Sequence, residues 1–169
     1  MEWVIAVVVL ICLYHVFIFI QNSKNKKEVE EKIFSFKSEN LTITKASKQN
    51  KYDYLITIGE NKYYLKMSYI PSNSCVTINY KDTLVLRYGA KKGSFGRSYP
   101  KERYMDELVG FLNSKYNGKK IIVFYKSTEK ILKYLNESDI GIVTYKDNPY
   151  DMKVMVYDDF INHFDEIIQ

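Results

Sequence analysis

The longest apolar run in the chain, "WVIAVVVLICLYHVFIFI", occupies positions 3–20 without a charge, and later apolar runs are short and broken by polar residues. As an α-helix rising about 1.5 Å per residue, some 20 such residues reach about 30 Å, the thickness of a bilayer hydrocarbon core. Val and Ile are indifferent helix formers in water, but in lipid the backbone must satisfy its own hydrogen bonds, so helix is the expected form. The pattern therefore predicts a transmembrane anchor over 1–23. Val29, Ile33 and Phe36 then fall at helical spacing among alternating Lys and Glu, which predicts a juxtamembrane helix over 24–40.

From residue 41 the apolar period changes to two. "LTITKAS", "YDYLITI", "KYYLKMSYI", "CVTINY" and "TLVLRY" read as five short strands in a meander, with "GEN" at 59–61 and "KD" at 81–82 short enough for hairpins. Residues 89–103, "GAKKGSFGRSYPKER", read as a loop. A helix is expected from Pro100, with Leu108, Phe111 and Leu112 on one face and Gly118 as its stop. "KKIIVFY", "STEKILKYLNES" and "IGIVTY" predict a parallel βαβ unit whose helix starts near Ser127 or Thr128. "DMKVMVY" predicts a further strand, and "DDFINHFDEIIQ" a closing helix capped by Asp158. The fold class is α/β or α+β: an anchor, then a mixed-sheet domain over 41–169 with helices on its faces.

Composition agrees with a folded domain, since 46% of residues are apolar and 27% charged. The 16 tyrosines favour strands. The net charge of +5 is mild and suits solubility as well as an anionic partner. Cys12 and Cys75 are too few and too far apart for a disulfide framework or a metal site, as expected in a reducing compartment. Glu2 precedes the apolar run and no small-residue cleavage site follows it, unlike a signal peptide. Lys24, Lys26 and Lys27 mark the carboxyl side as cytoplasmic, so the expected location is the cell membrane, single-pass, with the C-terminal domain in the cytosol. Tyr14 and His15, polar groups near the end of the span, call for no role of their own.

One constellation suggests chemistry. Asp53 opens one strand and Lys66 lies in the next, on the face shared by Tyr64 and Ser68. Metal-dependent phosphodiester cleavage needs carboxylates around Mg²⁺ and a cation near the attacking water. The order helix, strand with Asp, hairpin, strand with Lys, helix and βαβ resembles the restriction-endonuclease-like, PD-(D/E)XK, superfamily, including relatives anchored by one amino-terminal helix. The resemblance covers about residues 28–145. It implies Asp53 as metal-binding acid, Lys66 as the catalytic lysine, and Glu30 or Glu31 as an optional helix acid. The chain departs from that pattern at Tyr64, where the family carries an acid, and Glu60 sits at the wrong end of its strand to substitute. The resemblance therefore implies fold more than activity: a degenerate, non-catalytic domain serving binding or scaffolding, with no cofactor. An active nuclease would need Mg²⁺ held by Asp53 and a substitute carboxylate.

A second candidate is basic. Arg87, Lys91, Lys92, Arg97, Lys101 and Arg103 interleave with Tyr88, Phe95 and Tyr99, a mixture that suits nucleic acid or, near a bilayer, anionic lipid headgroups. The glycines there match neither a dinucleotide fingerprint nor a phosphate-binding loop, because no GK[ST] follows. His163 has no second His or Cys at ligand spacing, and neither a nucleophile elbow nor a histidine partner for Cys75 is present. The acidic carboxyl end, Asp158, Asp159, Asp165 and Glu166, reads as a solvated face.

Overall fold

Helix α1 runs unbroken through Glu2–Phe34 in the computed structural model, which describes residues 2–168 apart from Ser94, Phe95, Ser127, Glu137 and Ser138. The stretch expected as an anchor and the start of the stretch expected as a juxtamembrane helix are one continuous helix as far as Phe34, because nothing between the apolar run and the Lys/Glu run stops helical hydrogen bonding. Its apolar segment has mean hydropathy 2.8 and is not buried within the molecule, so this helix is long and apolar enough to cross a membrane. The chain divides into two units, Met1–Ser38 and Glu39–Gln169.

The second unit follows in chain order as β1 (Leu41–Lys45), β2 (Tyr54–Ile58), β3 (Asn61–Tyr69), β4 (Cys75–Tyr80), β5 (Thr83–Tyr88), β6 (Lys91–Gly93), β7 (Gly96–Ser98) and β8 (Lys101–Tyr104). Helix α2 (Asp106–Asn113) leads to β9 (Lys119–Tyr125), β10 (Lys130–Tyr134) and β11 (Ile140–Val143). A 3₁₀ turn (Pro149–Asp151), β12 (Met152–Val156), α3 (Tyr157–Asn162) and α4 (Phe164–Ile167) complete it. The class is mixed α and β, with two five-stranded mixed sheets ordered β1-β2-β3-β9-β12 and β11-β10-β4-β5-β8, plus the small β6-β7 hairpin.

The first sheet grows from the β1-β2-β3 meander, whose β2-β3 turn places Gly59 at φ 55, a conformation that favours glycine. β9 then joins β3 in parallel, with Lys66 opposite Ile122 and Ser68 opposite Phe124. One face of this sheet carries Tyr64, Ile122, Phe124, Met152 and Val154 into a core shared with Val76, Ile78, Leu84 and Leu86 of the second sheet and Leu108, Phe111 and Leu112 of α2. On the opposite face Tyr63 is buried and its hydroxyl donates to the Ile168 carbonyl at 2.8 Å, fastening the carboxyl end.

Several sequence expectations are corrected. The five early strands do not form one meander: Asn73, at φ 56 after Pro71, turns the chain away, and β4 and β5 enter the second sheet. Residues 89–103 are not a loop, since they hold β6, β7 and β8, and α2 begins only at Asp106 because β8 pairs with β5. Gly118 does not stop α2. It sits at φ 155 where a Cβ would collide with the Lys62 carbonyl, so it lets the entry to β9 approach β3.

The expected βαβ helix is strand β10, parallel to β4 and antiparallel to β11. Thr128 and Glu129 both donate to the Ser74 carbonyl, which pins the segment beside β4, and the available sheet edge overrides a weak helical pattern. Ser127, the other proposed start, lies outside the described residues. The closing helix is divided at His163, and Asp158 is in the first turn of α3 instead of at its cap, where Val156 stands.

Candidate functional site

β2 begins only at Tyr54, opposite Leu65, while β3 runs on to Tyr69, so the amides of β3 beyond Leu65 have no neighbour in β2. Asp53 fills part of that gap. Its own amide donates to the Leu65 carbonyl and its carbonyl accepts from Ala46, both at 2.8 Å, which fixes the backbone between β1 and β3. The carboxylate then reaches along β3: Oδ2 accepts from the Met67 amide at 2.8 Å and Oδ1 accepts from Lys66 Nζ at 3.1 Å. Sequence reading paired Asp53 with Lys66 correctly. It did not anticipate that the same carboxylate would cap an orphan backbone donor.

The energetics favour that bracing role. A hydrogen bond from a backbone amide to a charged acceptor contributes about 1.5–3 kcal/mol, whereas a partly exposed ion pair contributes under about 1 kcal/mol. The side chains of Lys66 and Asp53 are 21% and 36% exposed, so the amide bond is the stronger element.

Tyr64, at the position where the resemblance expects an acid, packs as an aromatic instead. Its ring stacks on Tyr116 with centroids 4.3 Å apart and meets Tyr52 edge-on at 5.0 Å. Tyr116 in turn touches Phe111 of α2 at 5.5 Å, so the cluster ties the approach to β2, the middle of β3 and α2 together. Burial pushes the Tyr116 hydroxyl above its ordinary range. Lys120, opposite Tyr64 in register, lies 5.6 Å from the Tyr116 ring centroid and donates to the Leu112 carbonyl near the end of α2. Burial lowers its pKa.

Of the acids considered as substitutes, Glu60 is remote from this pair. Glu60 lies in the β2-β3 turn, about 20 Å along the strand from Lys66 at roughly 3.3 Å per residue. Glu30 and Glu31 belong to the helical unit, where Glu31 lies 3.7 Å from Lys27. Among the described residues no group of three or more His, Cys, Asp or Glu is placed to hold a metal ion. Mg²⁺ takes near-octahedral oxygen ligation through one or two carboxylates and several waters, and both oxygens of the Asp53 carboxylate already accept hydrogen bonds from β3.

The basic candidates fall on two strand pairs, Arg87 in β5 beside Lys101 and Arg103 in β8, and Lys91 and Lys92 in β6 beside Arg97 in β7. Arg87 Nε donates to Glu102 at 2.7 Å, and Arg103 forms a bidentate pair with Glu107 at 2.8 and 2.9 Å. Lys101 lies 5.8 Å from the Tyr88 ring centroid, and Lys91 is exposed. The side chains of Lys92 and Arg97, and all of Phe95, lie outside the described residues. The segment is thus a set of paired strands in which two of the arginines are matched to acids.

Sequence reading also missed a cluster at the carboxyl end, where Tyr145 and His163 stack 4.0 Å apart and both reach Glu166. His163 and Glu166 meet at i,i+3 spacing across the α3-α4 break, but Tyr145 comes from the turn after β11, and no local spacing brings it to them. Comparisons with protein-family models, with curated proteins and with solved structures give no match.

Proposed function

We propose that this is a single-pass protein of the cell membrane whose cytosolic unit is a degenerate restriction-endonuclease-like domain, retained for binding or scaffolding instead of phosphodiester cleavage. The anchor reading rests on α1 and on the lysines that follow its apolar segment. The fold reading is supported by part of the element order behind the resemblance, without the βαβ unit, whose expected helix is strand β10 of the other sheet. Strand β2 opens after Asp53, a hairpin leads to β3 with Lys66, and α2 precedes the parallel strand β9.

The observation that carries the non-catalytic reading is the state of Asp53. Both carboxylate oxygens are engaged by β3, and the neighbouring acid position is a stacked tyrosine. Purified full-length chain in detergent is expected to leave single- and double-stranded DNA and RNA intact with Mg²⁺ or Mn²⁺. Cleavage that disappears in Lys66→Ala would establish the alternative, a membrane-tethered nuclease.

A further inference from the structure

Among the sheet edges, β11 is built differently. β8 presents Lys101, Glu102 and Arg103 after Pro100, β12 contains Lys153, and β1 contains Lys45 with two threonines. Such charges and prolines discourage pairing with another chain. β11 reads Ile-Gly-Ile-Val and carries none.

The ladder fixes which of its backbone groups are free. The Leu135 amide donates to the Asp139 carbonyl directly opposite it, at 2.9 Å, so positions 139, 141 and 143 turn their amides and carbonyls toward β10. Ile140 and Ile142 therefore direct theirs outward from the sheet. The two residues are 48% and 69% exposed and lie opposite Tyr134 and Leu132, so outward backbone groups coincide with an uncovered apolar patch.

We propose that β11 is a self-association edge, pairing antiparallel with β11 of a second copy of this chain about a two-fold axis through Gly141. In this register Ile140 of one copy exchanges both backbone hydrogen bonds with Ile142 of the other, and the reverse pair follows by symmetry. Gly141 meets itself at the axis as a non-hydrogen-bonded pair, where strands approach most closely and the absence of a side chain helps. The charges agree with this orientation. Residues 140–145 are uncharged, Asp139 precedes the strand and Lys146 follows it, so each copy sets its acidic end beside the other's basic end. Asp147 at that end is turned back onto the Thr144 amide and hydroxyl, both at 2.8 Å. Anchoring through α1 would confine copies to one bilayer and raise the effective concentration for this short contact.

Cysteine crosslinking in membranes containing the full chain tests the register, in a Cys12→Ser background where the remaining Cys75 is buried. A Cβ at Gly141 meets the end of Leu135 at 3.4 Å, so Gly141→Cys is accommodated, and antiparallel non-hydrogen-bonded neighbours lie within disulfide reach. Mild oxidation is expected to give a disulfide dimer of Gly141→Cys and none of Lys101→Cys on the β8 edge. Adding Ile142→Pro removes an outward amide without touching the β10 ladder, and Ile140→Lys adds charge without touching the backbone. Each is expected to cut crosslinking at least tenfold while circular dichroism stays unchanged. A Gly141→Cys chain that remains monomeric overturns the proposal, as does crosslinking insensitive to both additions or equally strong at Lys101→Cys.

Discussion

At Asp53 one carboxylate serves a cation and a backbone amide at once, and the two partners predict different mutant costs. Asp53→Ala leaves the Met67 amide without its acceptor and is expected to destabilise the domain by about 1–3 kcal/mol, while Asp53→Asn keeps one acceptor and loses less. Thermal melts of the full chain in detergent check the order. Gly118 gives a steeper test: a Cβ there collides with the Lys62 backbone, so Gly118→Ala is expected to cost about 3 kcal/mol or more, beyond the usual range for an exposed loop substitution. The pairing of Asp53 with Lys66 was legible in the sequence, because alternation along adjacent strands puts both near one point. The Met67 bond was not, since it depends on where β2 begins relative to β3. Nor was the Tyr64 stack, whose partner Tyr116 lies beyond α2.

Elements that carry their own pattern were readable: α1 from its uncharged length, β1 to β5 and β9 from alternation or apolar runs, and the buried face of α2 from Leu108, Phe111 and Leu112. Elements decided by a neighbour were not. β10 is a strand because β4 offers an edge and Ser74 holds Thr128 and Glu129 beside it, and β8 is a strand because β5 claims it from the expected helix.

The junction of β8 with α2 is fastened by Arg103 and Glu107, with Glu107 in the first turn, where the helix dipole also favours negative charge. Hydrogen bonding from Arg103 holds the Glu107 carboxyl below its ordinary value of 4.5. A carboxyl whose folded pKa is lowered contributes stability that is complete above the unfolded value and is lost as pH falls through the folded one. Melting temperature should therefore drop on acidification below about pH 4.5. Glu107→Gln should flatten that slope, which a pH series of melts would show.

For the whole molecule, a long apolar helix accompanies a mixed two-sheet unit in which the acid of the most suggestive polar pair also accepts from a backbone amide. The central proposal is that Asp53 serves to brace β3 instead of holding a metal. Titration of the full chain in detergent with Mn²⁺, followed by the loss of free-ion electron paramagnetic resonance signal, tests it directly. The account predicts the same titration for the wild-type chain and Asp53→Asn. A saturable site in the wild type that vanishes in Asp53→Asn, with the fold intact by circular dichroism, would contradict it.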